Sequence, residues 1–173
     1  SAGLITFAVA ALLIFWVAGA YNRLVALRNG IVALFGPVDE QFRARQQLVR
    51  EQIEAVATMA PDAVPAPEAL HAALAQADAA CAHARTHPGA AGATASLRLA
   101  DEILDAARAR LSAEALAHAS LEEVNARLVA AQASLDFTRR QFNEAVTAYN
   151  HAVRQFPTWI VAALFGFRPA GFF

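Results

Sequence analysis

Apolar residues fill the start of the chain and then recur at helical spacing along most of it. Between Ala2 and Ala20 there is no charged residue, and Thr6 is the one clearly polar side chain. Beyond Ala20 the apolar positions follow steps of mostly three, four or seven, which predicts one long helix from the apolar segment to about Thr58. Gly36-Pro37 interrupts this helix and predicts a kink. The apolar stripe after Ala20 is formed by Val25, Ile31, Phe35, Val38, Phe42, Val49, Ile53 and Val56.

Three more helices follow from the same periodicity. A second helix is predicted from about Glu68 to Arg85 and a third from about Ser96 to Ala117. A capping box, Ser120-Leu-Glu-Glu123, opens the fourth helix, which is predicted to reach Phe156 before Pro157. Proline-rich residues 60–67 and glycine-containing residues 87–94 are predicted as connections.

The predicted helix lengths indicate the path of the chain. The first helix beyond the apolar segment and the fourth would each be roughly 55 Å long, and the middle two roughly 30 Å. This predicts an all-α protein: a transmembrane helix that continues into an antiparallel four-helix bundle with two long and two short helices. The expected division is 1–20 anchor, 21–157 cytoplasmic bundle and 158–173 C-terminal interfacial segment.

The apolar segment has two interpretations. As a helix it would be roughly 28 Å long, close to the hydrocarbon thickness of a bilayer, and would form a retained anchor. Ala18 and Ala20 also form an A-x-A site typical of a cleaved signal peptide. The anchor is favoured because no basic residue precedes the run. Arg23 and Arg28 follow it, which predicts a single span with the N-terminus outside and the bulk of the chain in the cytoplasm.

The C-terminal segment is too short to span a bilayer but rich in large apolar side chains. We expect the fourth helix to return it to the membrane interface. A tail folded onto the bundle is the alternative. The predicted membrane-interfacial residues are Trp159, Ile160, Leu164, Phe165, Phe167, Phe172 and Phe173.

The two short helices would leave the membrane-proximal half of the long pair uncovered. Exposed apolar faces usually mark an interface, so self-association or partner binding is predicted there. The asparagines of this half would form a polar network that sets register, or would be plainly exposed to solvent. The predicted interaction residues are Tyr21, Asn22, Leu24, Leu27, Arg28, Asn29, Ile31, Phe142, Asn143, Val146, Tyr149, Asn150 and Phe156.

Composition and motifs argue against several classes of chemistry. A net charge of −1 excludes a strongly basic nucleic-acid binder, and a single cysteine, Cys81, excludes an intramolecular disulfide. His83 and His87 have zinc-ligand spacing, but Cys81 lies on the predicted core stripe and Pro88 ends the helix. No phosphate loop, nucleophile elbow or Ser–His–Asp order is present. We therefore expect no enzyme, metal or cofactor.

Three segments resemble the LemA family. Tyr21-Asn-Arg-Leu-Val-Ala-Leu-Arg-Asn29, directly after the apolar segment, is similar to the opening signature of that family, and Gln41-Phe-Arg-Ala-Arg45 to its basic segment. The closing signature is similar over Arg140–Asn150, and continues through Phe156-Pro157, Ala163–Phe167 and Phe172. The resemblance implies a long-helix antiparallel bundle on an anchor in the bacterial inner membrane, and it implies no reaction.

These observations predict a non-enzymatic membrane scaffold or adaptor. Its expected partners are membrane lipids and either further copies of the chain or another membrane protein. An accessory subunit of a larger membrane complex is the alternative. A ligand-sensing helical domain is a third class, disfavoured because an alanine-rich core leaves little room for a pocket.

Overall fold

The computed structural model describes residues 1–59, 67–111 and 119–173, and every regular element in these ranges is a helix. The prediction of an all-α protein with one long apolar N-terminal helix is confirmed. The helices are α1 (Ala2–Met59), α2 (Pro67–Thr86), α3 (Ala91–Ala109), α4 (Ala119–Arg154) and α5 (Thr158–Phe165).

Helix α1 is assigned as one unbroken helix through Gly36-Pro37. Its first twenty residues are mostly exposed, with Leu4, Phe7 and Phe15 each more than 65% accessible. Their length and composition are compatible with a membrane anchor, and a signal sequence has the same properties.

Helices α1 and α4 form the principal pair and run antiparallel. The rings of Phe35 and Phe142 lie 6.3 Å apart in an edge-to-face arrangement. Further along, Gln52 Nε2 donates to Asn125 Oδ1 at 2.9 Å. The same number of residues separates Phe35 from Gln52 as separates Asn125 from Phe142, so the two helices keep one register over this length.

Helices α2 and α3 cover the half of this pair that is farther from the apolar segment, hereafter the distal half. On α2, Arg85 Nε donates to Asp39 Oδ2 at 3.0 Å, and Arg50 pairs with Asp78 nearer the other end. These contacts make α2 antiparallel to α1. The distal core lies between the helices and includes Leu48, Val49, Ile53, Leu70, Leu74, Leu104 and Leu128.

The boundaries of α3 and α4 differ from those predicted. Helix α3 begins at Ala91 instead of Ser96 because its first residues are mostly alanine, the best helix former, with no proline among them. It ends at Ala109, where Arg110 is the C-cap. Helix α4 ends at Arg154, two residues before the predicted end, since the residue before a proline disfavours helical geometry. Residues 60–66, most of the first predicted connection, and the Ser120 side chain of the capping box lie outside what is described.

A short irregular segment covers the half of the long pair that is nearer to the apolar segment of α1. After α5, Gly166 adopts a φ of 72° in the left-handed region and turns the chain back. Residues 167–173, hereafter the tail, then run between α1, α4 and the turn at residues 87–90. The expectation that this half of the pair is uncovered is therefore wrong, because the tail fills the space that α2 and α3 do not reach.

Candidate functional site

The most developed interaction in the described residues is the groove that holds the tail. Asn150 Nδ2 donates to the carbonyl of Ala170 at 3.0 Å, and the Ala170 N–H donates to Asn150 Oδ1 at 2.7 Å. Asn143 forms the same pair with Phe173, at 2.9 and 2.8 Å. Each side-chain amide thus satisfies both backbone groups of one tail residue, as a neighbouring strand would.

An aromatic pocket receives the ring of Phe173. Its centroid lies 4.8 Å from that of Phe142 and 5.7 Å from that of Phe42. It also stacks on Phe35 at 6.2 Å with an interplanar angle of 22°. These separations are in the range of favourable aromatic pairs. Phe173 is therefore half-buried in the bundle, and its predicted place in the membrane interface is wrong.

The turn between α2 and α3 closes the groove from the other side. The Gly171 N–H donates to the carbonyl of Gly89 at 3.0 Å. Gly89 has a φ of 79°, and a Cβ there would lie 2.8 Å from Cγ2 of Ile31. A Cβ on Gly171 would lie 2.8 Å from the backbone of Ala91. Gly89 needs glycine because of its positive φ and its close approach to α1, and Gly171 because the tail approaches the start of α3 too closely for a side chain.

Phe167 anchors the start of the tail. It is buried, contrary to its predicted place in the membrane interface, and its ring lies 5.6 Å from that of Tyr21. The guanidinium of Arg28 lies 4.9 Å from the centroid of the same ring, within the range of a cation–π contact. The physical reason for the burial is the left-handed turn at Gly166, which directs Phe167 back onto α1.

Helix α5 lies beside the end of the apolar part of α1. Thr158, Val161 and Ala162 are buried against the bundle, and the ring of Phe165 lies 5.1 Å from that of Tyr21. The outer side of α5 and this part of α1 form an exposed surface, hereafter the basal apolar surface, which contains a shallow cavity of about 440 Å³. The basal apolar surface consists of Leu13, Ile14, Val17, Tyr21, Trp159, Ile160, Leu164 and Phe165.

The predicted interaction residues divide into three groups by burial. The first group is buried within the chain, so its predicted exposure is wrong: Leu24, Ile31, Phe142, Val146, Tyr149 and Asn150. Leu27 and Asn143 are half-buried. Tyr21, Asn22, Arg28, Asn29 and Phe156 are exposed. The asparagines do not form one network: Asn143 and Asn150 bind the tail, while Asn22 and Asn29 face solvent.

A buried charge cluster crosses the distal core and was missed in the sequence. Arg45, 1% exposed, donates to Asp101 and Asp105 of α3. Arg139 of α4 lies 3.8 Å from the other oxygen of Asp101. Burial raises the pKa of Asp105, partly offset by Arg45 beside it. The only sequence signal was that Arg45 stands between the core positions Phe42 and Val49 of one helical stripe.

The candidate metal ligands do not converge. Cys81 is buried and its Sγ accepts from Gln46 Nε2 at 3.4 Å, and burial raises the thiol pKa to about 11. His83 and His87 have ring centroids 4.7 Å apart on the surface, and Nδ1 of His87 lies 2.8 Å from the Thr86 hydroxyl. Within the described ranges, no group of three or more histidine, cysteine or acidic side chains is placed to hold a metal ion.

The architecture defines a long-helix all-α protein with an apolar N-terminal segment and a tail bound along its principal helix pair. The family model of the LemA family matches residues 35–173, so the chain belongs to the LemA family. The match contains the closing signature, whereas the opening signature at residues 21–29 lies before it. A search of curated protein sequences finds no match.

Proposed function

We propose that this LemA-family protein is a non-enzymatic scaffold or adaptor of the bacterial inner membrane. In this proposal the apolar part of α1 spans the bilayer once with its N-terminus outside. The helices beyond it form an antiparallel four-helix arrangement in the cytoplasm, and α5 lies in the interface. The observation that carries the proposal is the contact between Phe165 and Tyr21, which holds α5 at the level where the apolar segment ends.

The exposure of α5 supports a place at the lipid interface. Leu164 is 72% exposed and Phe165 54% exposed, on a helix of eight residues that is too short to cross a bilayer. Trp159 lies on the same helix and is also exposed. Tryptophan is favoured at the headgroup level of membranes, where its ring is partly apolar and its N–H is hydrated. The basal apolar surface is therefore suited to lipid.

The pairing of the core charges supports a structural role over a catalytic one. Arg45 of the distal core is bound to acidic partners within the chain, and Gln52 is bound to Asn125 and Arg108. A general acid or base must reach a substrate atom, usually in an accessible cleft. These groups instead cross-link helices to each other, which suits a scaffold.

The surface proposed for association differs from the helix pair predicted in the sequence. The tail occupies that groove, so the exposed residues for a partner are those that α1 contributes to the basal apolar surface, Leu13 and Ile14, while α5 faces the headgroups. We propose that copies of the chain associate through them. An accessory subunit of another membrane complex would use the same surface with a different neighbour.

Fluorescence quenching by lipid tests the membrane arrangement. The chain has two tryptophans, so Trp16→Phe leaves Trp159 as the single probe. In nanodiscs that contain brominated lipids, we expect strong quenching of Trp159 when bromine is close to the headgroups and weak quenching when it is at the bilayer centre. Equal emission in brominated and ordinary lipid would contradict the proposal. Trp159→Phe, which reports Trp16 alone, serves as the matched control.

Native mass measurement after gentle extraction tests association. A single oligomer of identical chains is the expected result for a scaffold. Co-purification of other subunits in a fixed ratio would overturn self-assembly and favour the accessory subunit. Leu13→Ala with Ile14→Ala should weaken the oligomer, whereas Arg154→Glu, an exposed position outside α1, should not.

A further inference from the structure

A cavity of about 510 Å³ lies beside the tail, on the cytoplasmic side of the basal apolar surface. It is lined by four separate parts of the chain: α1, α4, the turn that leads into α3, and the start of the tail. The residues that contribute charge or hydrogen-bonding side chains to its wall are Arg28, His87, Tyr149 and Arg168. The tail groove and this cavity share Ala170 and Gly89, so a bound tail forms part of the wall.

The wall of the cavity is cationic. Arg28 comes from α1 and Arg168 from the tail, and no carboxylate is among the fourteen residues that line the cavity. Neither arginine makes an ion pair within the described part of the chain. His87 uses Nδ1 toward the Thr86 hydroxyl, which leaves Nε2 as its remaining hydrogen-bonding atom. Two arginines without acidic partners are a common arrangement for binding an oxyanion.

The first turn of α3 adds backbone donors to the same wall. Ala90, Ala91 and Gly92 line the cavity. The N–H of Ala90 donates to the carbonyl of His87 at 3.1 Å, so the donors are those of Ala91 and Gly92, and Ala90 as N-cap offers them no side-chain acceptor. The first turn also lacks an acidic residue. The early N–H groups of a helix have no partner within the helix and favour an anion. The attraction of these N–H groups for an anion adds to that of the two arginines, and both point to the same class of ligand.

We propose that the cavity binds a phosphate group, with Arg28 and Arg168 as its principal ligands. The phosphate has two possible sources, a free phosphate compound and a lipid headgroup. Arg28 follows Ala20 by eight residues, about 12 Å along a helix. The headgroup layer is only about 5–7 Å thick on each side. Under the proposed membrane arrangement the cavity opens just beyond that layer, which favours the free compound.

Binding of inorganic phosphate to the full chain in an uncharged maltoside detergent tests the site. We expect saturable binding by calorimetry or by broadening of the phosphorus resonance, and a loss of at least tenfold in affinity for Arg168→Gln. Arg168 is exposed, so its substitution should leave the thermal transition unchanged. Arg23→Gln removes the same charge from an exposed position of α1 outside the cavity, and should bind like the unsubstituted chain.

A second arm distinguishes the sources. Nanodiscs that contain phosphatidylglycerol should leave the binding of inorganic phosphate unchanged if the natural ligand is a free phosphate compound. They should abolish the binding of inorganic phosphate if the lipid headgroup enters the cavity. Either result is consistent with a phosphate site and assigns its source. Absence of binding both to phosphate and to the anionic lipid would overturn the proposal. An equal loss for Arg23→Gln and Arg168→Gln would also overturn it, because binding would then depend on overall charge.

Discussion

The side-chain amide of Asn143 pairs with the backbone of Phe173 in both directions, and Asn150 repeats the arrangement with Ala170. The spacing explains why both pairs form together. The asparagines are seven residues apart on α4, about 10.5 Å along the helix. Their partners are three residues apart on the tail, about 10 Å if the backbone is extended. Two turns of helix and three residues of extended chain therefore match in length.

Substitution of either asparagine by alanine should release the tail. Asn150→Ala removes two hydrogen bonds and leaves backbone groups of Ala170 without partners, so we expect a loss of about 2–3 kcal/mol in unfolding free energy. Asn143 is less buried, so Asn143→Ala should lower the unfolding free energy by about 1–2 kcal/mol. Hydrogen exchange of the amides at residues 167–173 should accelerate in both variants. Unchanged exchange would contradict the assignment, and Asn22→Ala, at an exposed position, is the control.

The aromatic pocket gives a second prediction with a neighbouring control. Phe173→Ala empties the space beside Phe35, Phe42 and Phe142. Loss of this half-buried ring should lower the unfolding free energy by about 1–3 kcal/mol. Phe172 is exposed, so Phe172→Ala should change stability by less than about 0.5 kcal/mol. Thermal unfolding in detergent compares the two variants. Equal shifts would show that Phe173 contributes no more than an exposed ring.

The sequence predicted the helices better than it predicted which residues pack over the α1–α4 pair. Helix α1 and helix α4 have long apolar stripes, and their lengths predict that the chain runs out along one and back along the other. The position of the tail depends on the turn at Gly166 and on the close approach of Gly171 to α3. It also depends on Asn143 and Asn150, whose side chains bind backbone atoms of the tail. Contacts of that kind have no periodicity, so the sequence left both an interfacial tail and a folded tail possible. In the structure α5 is exposed beside Tyr21, and the tail is packed in the groove.

The buried charges show a different limit of sequence reasoning. Arg45 and Asp101 lie on separate helices, and in the sequence Arg45 belongs to the segment that resembles the basic segment of the family. Their pairing depends on the angular position of α3 relative to α1. Helix α3 also starts five residues earlier than predicted, so its position could not be derived from the leucine stripe alone.

The glycine at the α2–α3 turn gives a third prediction. Gly89→Ala introduces a Cβ at a positive φ and 2.8 Å from Cγ2 of Ile31, so either the turn or α1 must shift. We expect a loss of about 1–2 kcal/mol in unfolding free energy. Gly36→Ala is the matched control, since its Cβ would meet nothing within 4 Å and alanine favours the helix. The control should be neutral or more stable by up to about 1 kcal/mol.

The buried charge cluster should be far more sensitive than an exposed pair. Asp101→Asn leaves the charge of Arg45 in the core with Asp105 as its remaining acidic partner, and we expect a loss of about 3 kcal/mol. Asp78→Asn breaks the pair with Arg50, in which both side chains are about 40% exposed, and should cost less than about 1 kcal/mol. Denaturant unfolding measures both variants. Similar losses for the two would show that burial of Arg45 has no special effect.

Cys81 should make stability fall with rising pH. Burial holds the pKa of its thiol at about 11 in the folded chain, against 9.0 for the free group. Between these values the unfolded chain loses the proton while the folded chain keeps it, so the unfolding free energy decreases, by at most about 1.4 kcal/mol per pH unit. Unfolding in detergent at pH 8 and pH 10 should show a smaller decrease for Cys81→Ala than for the unsubstituted chain. Alkylation by iodoacetamide at pH 9 should correspondingly be slow until denaturant is added. Identical pH dependence in the two chains, or rapid alkylation of the folded one, would contradict the burial of this thiol.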